Sequence, residues 1–156
     1  MSSQDKRMAF EPRISVVTLG VSDVRRSTAF YEALGFVRSE ASSDAISFFA
    51  VNGGMVLALF ERSALADDAK IPRPDDGQSG FHGFTLAYNT RSACEVDTGT
   101  VSFVAAGGRL VKAPERTFWG GYSGYVADPD DHIWEIAFNP HWSIDEVGRV
   151  ALHQAT

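Results

Sequence analysis

The sequence predicts an α+β fold of two β-α-β-β-β modules, which form a curved mixed sheet that encloses a concave cup with helices on the outer face. Three observations carry this expectation. Short β-branched and aromatic runs alternate with two segments that have helix-start and helix-stop residues. Each half ends in a hairpin signal, Asn52-Gly53-Gly54 in the first and Asp128-Pro129-Asp130-Asp131 in the second. Between them, residues 62–80 turn polar, with Pro and Asp clusters and no apolar period. A single unit of this kind cannot bury its sheet, so two copies imply a shared one.

A leader, residues 1–13, precedes the first module at 14–61. Ile14 to Val21 is short and β-branched, which predicts a strand. Ser22-Asp23 supplies N-cap oxygens for a helix through Leu34, with Val24, Phe30, Tyr31 and Leu34 on its packed face, and Gly35 closes it. Strands follow at Val37–Ser39, Ala45–Val51 and Met55–Glu61. The connector, 62–80, is expected to be a mobile loop.

The second module spans 81–140. His82 to Tyr88 reads as its first strand, with Thr85-Leu86 matching Thr18-Leu19. Ser92 to Ala106 is a helix with Glu95 and Asp97 early and Gly107-Gly108 after it. Arg109–Lys112 is a strand, and the runs flanking Asp128-Pro129-Asp130-Asp131 form the closing hairpin. Residues 141–156 are a tail.

With 156 residues, of which 44% are hydrophobic, the chain suffices for one packed domain. The net charge of −6 and the lack of a basic stripe argue against a nucleic-acid partner. No run approaches the roughly 18 apolar residues of a membrane span, and Met1 to Arg7 lacks a signal peptide's apolar core. A cytoplasmic protein with no membrane partner is expected. Cys94 is alone, which excludes an internal disulfide and a cysteine-cluster metal site, and it reads as a structural or surface thiol.

Strand alternation puts Ile133, Glu135 and Ala137 on one face and Trp134, Ile136 and Phe138 on the other. A carboxylate in mid-strand is costly to bury unless it is hydrogen-bonded, protonated or bound to a cation, so Glu135 is a candidate site residue.

Several segments together resemble the vicinal oxygen chelate superfamily, the glyoxalase I, bleomycin resistance protein and extradiol dioxygenase group. They are Val17-Thr18-Leu19-Gly20-Val21-Ser22-Asp23 with Ser27, Phe30-Tyr31 and Leu34-Gly35-Phe36, then Trp119-Gly120-Gly121, then Asp128 to Glu135. The resemblance runs from about Ile14 to Pro140. It implies that metal-using members draw His, Gln or Glu ligands from equivalent strand positions in the two halves. Those positions here are Val16, Ala58, Gly83 and Glu135, and only Glu135 has a ligand side chain. His82, one residue from the expected place, could be brought inward by a bulge, which leaves Glu135 and His82 as the metal candidates. His132 falls on the opposite strand face from Glu135, and His141 and His153 lie beyond the hairpin.

If Glu135 faces the cup, so do Val16, Thr18, Val56, Ala58, Phe60, Gly83, Thr85, Ile133 and Ala137, while Leu57, Leu59, Phe84, Leu86, Trp134 and Ile136 pack under the helices. Trp119 and Tyr125 are aromatic walls, and the ligand-binding set is Thr18, Phe60, Thr85, Trp119, Tyr125 and Glu135. The resulting expectation is a family protein that binds a small organic molecule in an aromatic, weakly acidic cup, with no cofactor. The alternative is a divalent-metal-dependent lyase, isomerase or dioxygenase acting on a small oxygenated substrate, with Glu135 catalytic. A scaffold with no ligand is a third class. The resemblance and the open sheet edges further imply a homodimer, with residues 67–80 folding over the partner's pocket.

Overall fold

The computed structural model describes residues 10–73 and 80–152. The start of the leader, the middle of the connector and His153 lie outside the described residues. In the first module β1 (Val16–Val21) leads into α1 (Val24–Ala33), followed by β2 (Ile46–Ala50) and β3 (Val56–Glu61). β3 is central, parallel to β1 and antiparallel to β2. Asp23 caps α1 by accepting from the Arg26 N–H at 3.1 Å, and Gly35 at φ +98° follows its end. Gly53 and Gly54, both left-handed, make the β2–β3 turn.

The strand expected at Val37–Ser39 is reduced to one bridge, between Arg38 and Phe49. Serine side chains explain the loss. The Ser39, Ser42 and Ser43 hydroxyls accept from the N–H groups of Ala41, Phe48 and Ala45, drawing the chain into a turn instead of a ladder. The connector also departs from expectation, because it opens with a helix, α2 (Arg62–Asp68). Glu61, the last residue of β3, accepts from the Ser63 and Ala64 N–H groups at 3.1 and 2.8 Å. A strand-end carboxylate thus becomes a helix cap.

The second module has β4 (Leu86–Thr90), α3 (Ala93–Ala105), β5 (Arg109–Arg116), β6 (Tyr122–Ala127) and β7 (Ile133–Phe138). Its sheet order is β4-β7-β6-β5. The first strand begins later than expected: His82, Gly83, Phe84 and Thr85 precede it, with Gly83 at φ +84° turning the chain there. Phe84, expected under a helix, is exposed. The tail also carries structure, a hairpin of β8 (Trp142–Ile144) and β9 (Val150–Leu152). Arg91 donates to the Asp145 carbonyl at 2.7 Å, and Gly148 packs against Asn52, so the hairpin touches both modules.

The expected shared sheet comes as two hydrogen-bonded pieces, β1-β3-β2 and β4-β7-β6-β5, not closed into a barrel. One core joins them. Leu19, Tyr31, Phe49 and Leu59 of the first module and Val96, Phe103, Val126 and Ile136 of the second form a single buried cluster. Across it Phe30 meets Phe103 edge-on at 5.0 Å. Trp134 lies against Tyr31, Phe36 and Phe103, on the helix side as alternation required. No described helix is long and apolar enough to cross a membrane.

Candidate functional site

Two groups of polar side chains stand out, and they are built differently. The first is the β6–β7 turn, where Asp131 sits at φ +64° and Asp128 and Asp130 point into the protein. Asp128 Oδ1 accepts from the N–H groups of Asp130 and His132, both at 2.9 Å. Its Oδ2 accepts from the Tyr31 hydroxyl at 2.7 Å and lies 2.8 Å from His132 Nδ1. The Trp134 indole N–H in turn reaches the Tyr31 oxygen at 3.2 Å.

Asp130 accepts from the Ser22 N–H, the Ser22 hydroxyl and Arg26 Nη2 on one oxygen, and from the Ser27 hydroxyl on the other. Burial alone would raise its pKa. The donors from Ser22 and Ser27 and the charge of Arg26 outweigh that and hold it below the usual carboxylate value. The Tyr31 phenol is pushed far up, first by burial and then by the Asp128 charge beside it, so it stays a donor. This network makes a joint between α1 and the second module. Alternation and helix spacing did not reveal it, although Ser22, Ser27 and Tyr31 of the segment resembling the superfamily are its donors.

The second group lies on the sheet face turned away from α3. Register places Ala87 beside Glu135, Glu135 beside Tyr125, and Tyr125 beside Lys112, in one row across β4, β7, β6 and β5. Glu135 and Tyr125 are half-buried and Lys112 is exposed. The Tyr125 phenol is pushed up, first by burial and then by Glu135, with Lys112 opposing. The Lys112 ammonium is also pushed up, mainly by Glu115, whose carboxylate is 2.8 Å away, with smaller contributions from Tyr125 and Glu135. At neutral pH Tyr125 is therefore a donor and Lys112 a cation.

Lys112 was missed from sequence because β5 is irregular. Its register with β6 shifts between Leu110 and Lys112 and again between Lys112 and Glu115. The backbones come close there: a Cβ on Gly124 would lie 2.7 Å from the Lys112 carbonyl oxygen and 2.8 Å from the Pro114 nitrogen. A glycine inside one strand and a proline inside its edge neighbour are the signals that mark such a bulge.

Of the expected ligand-binding set, the structure brings Tyr125 and Glu135 together. Thr18 and Phe60 are on the other piece of sheet, opposite Ala58 and Gly20 respectively, with Thr18 exposed and Phe60 half-buried. Thr85 is exposed and immediately precedes β4. Trp119 sits in the β5–β6 loop with its ring over Gly121, where any Cβ would overlap it. The matching of the two halves also changes. Thr18 pairs with Ala58 as Ala87 pairs with Glu135, and the N-caps Asp23 and Ser92 keep the same offset. Val16 therefore corresponds to Thr85 rather than Gly83. The Thr-Leu identity used for alignment was two residues out of register.

This donor set does not fit a divalent ion. Val16 and Ala58 offer no ligand atoms, Thr85 a neutral hydroxyl, and the strand neighbours of Glu135 are Ala87 and a protonated phenol, Tyr125. His82 is exposed on the chain before β4 and outside the strand register. Among the described residues no group of three or more His, Cys, Asp and Glu side chains is placed to hold a metal.

A β-α-β-β module and a β-α-β-β-β module over one core define an α+β protein of two related halves. The chain belongs to the Glyoxalase/Bleomycin resistance protein/Dioxygenase superfamily, whose family model matches residues 13–136. Among solved structures, a glyoxalase-related enzyme from Fulvimarina pelagi is 38% identical with a TM-score of 0.80, covering 90% of this chain and 98% of that one. A lactoylglutathione lyase from Agrobacterium tumefaciens is 25% identical with a TM-score of 0.59, covering 86% and 99%. A glyoxalase/bleomycin resistance protein/dioxygenase family enzyme from Burkholderia phytofirmans PsJN, 24% identical with a TM-score of 0.70 over 80% and 96%, shares the fold. No protein with a curated description matches.

Proposed function

We propose that this protein binds a small organic molecule on the Glu135 face of its second sheet, without a divalent metal. The observation that carries the reading is the half-buried Glu135–Tyr125 pair, an acceptor beside a phenol held protonated, on the face turned away from α3. A few convergent polar groups on an otherwise apolar surface are what orient a small ligand. Ala87, Ile133 and Ala137 supply the apolar surroundings.

The test is a thermal-shift screen of small organic molecules with the metal-free protein, repeated with added divalent metal. The reading expects stabilisation without metal, lost in Glu135→Gln while the variant's own melting temperature changes little. Stabilisation that requires metal would overturn it.

The likeness to the Fulvimarina pelagi enzyme supports a second reading, in which Glu135 also acts as general base on a bound oxygenated substrate. Glu135→Gln would then keep ligand affinity and lose turnover. The homodimer is proposed on the same footing. β1, β2, β4 and β5 are edge strands within the single chain, and pairing of copies would protect them. Light scattering giving twice the chain mass is the expected result.

A further inference from the structure

The row on the Glu135 face is polarised along its length. A carboxylate stands at Glu135, a neutral phenol at Tyr125 and an ammonium at Lys112, in adjacent pairings of three strands. An anionic ligand alone would meet Lys112 but also Glu115 and Glu135. A cationic ligand alone would be drawn to Glu135 and repelled by Lys112. A molecule with both charges, aligned with the row, satisfies both ends.

Resting on the small-molecule reading above, we infer that the ligand is zwitterionic, with a cationic nitrogen toward Glu135, an anionic group toward Lys112, and an apolar middle spanning Tyr125. Paired Cα atoms on antiparallel strands are about 4.5–5.5 Å apart, which starts Glu135 and Lys112 roughly 10 Å apart. Hydrogen bonds of about 3 Å at each end leave a ligand charge separation on the order of 4–6 Å. That span matches an ω-amino acid of a few methylenes better than an α-amino acid, whose charges nearly touch.

Glu115 acts as the competitor in this scheme. It holds Lys112 at 2.8 Å, both side chains are more than half exposed, and a ligand's anionic end must displace it. Removing Lys112 and removing the Glu115 charge therefore have opposite effects on the same ligand.

The experiment is calorimetric titration of the full chain, in metal-chelating low-salt buffer, with 4-aminobutyrate, butyrate and butylamine. The expected order is 4-aminobutyrate tightest and each singly charged analogue about threefold to tenfold weaker, as fits exposed charge pairs. Lys112→Met should bring 4-aminobutyrate down to the level of butylamine, while Glu115→Gln should tighten it several-fold. Equal affinities for the three compounds, no binding of 4-aminobutyrate, or an unchanged affinity in Lys112→Met would each overturn the inference. If a neutral compound from the screen binds in a Glu135-dependent but Lys112-independent way, the zwitterion fails and the small-molecule reading stands. If no compound depends on Glu135, both fail.

Discussion

Asp130 shows how a carboxylate can be nearly inaccessible and still ionised. Its four donors come from Ser22, Ser27 and Arg26, all at or near the start of α1, whose dipole also favours a negative charge. Arg26 is half exposed, so its share is screened, and the serine donors carry more of the effect. Asp130→Ala should cost about 1–3 kcal/mol in urea unfolding, because the buried Ser27 hydroxyl loses its acceptor, as do the more exposed Ser22 donors. The pH dependence follows from the sign of the shift. A carboxyl whose folded pKa lies below its unfolded value of 3.8 adds stability above that value and loses it as pH falls through the folded pKa. The difference between parent and Asp130→Asn should therefore be largest near neutrality and shrink below about pH 4. A difference that grows with acid would contradict the assignment. Tyr31→Phe is milder, at about 1 kcal/mol, since His132 and two backbone N–H groups still serve Asp128.

At the scale of elements, the strands and helices with strong local signals were legible, and those set by side-chain traffic were not. The α1 caps, the glycine turn at 53–54 and the alternation of β7 follow from residue chemistry alone. α2 was hidden because its cap, Glu61, belongs to the preceding strand, and the Val37–Ser39 strand was lost to serine hydroxyls that compete for the same N–H groups. In the second sheet, the β5 bulge depends on Gly124. Gly124→Ala forces a side chain onto the Lys112 and Pro114 backbone and should destabilise by about 1–3 kcal/mol. A variant as stable as the parent would show that the two strands can separate there without penalty.

For the whole molecule, two features make the modules one unit: the shared core and the turn network, which both join α1 to the second sheet. The repeat in the sequence suggested two copies, but not that Trp134 of one would touch Tyr31 and Phe36 of the other. Trp134→Ala should cost about 3 kcal/mol or more, with one cooperative transition seen by both tryptophan fluorescence and circular dichroism. Separate transitions would mean that the modules unfold independently. The candidate site was half legible: Glu135 came from alternation and Tyr125 as an aromatic wall, whereas Lys112 required the bulge.

A groove of about 520 Å³ lies elsewhere, lined by Arg26, Ala29, Phe30, Ala106, Gly107 and Pro129 at the helix side. Among its described lining residues it has an arginine already paired with Asp130 and no other charged group, whereas the Glu135 face has three side chains of different chemistry in register. Backbone amide chemical-shift mapping on the metal-free protein, with the compound giving the largest thermal shift, separates the two directly. The largest perturbations should fall on Ala87, Lys112, Tyr125 and Glu135. Perturbations centred on Arg26, Ala29 and Gly107 would contradict the assignment of the ligand site.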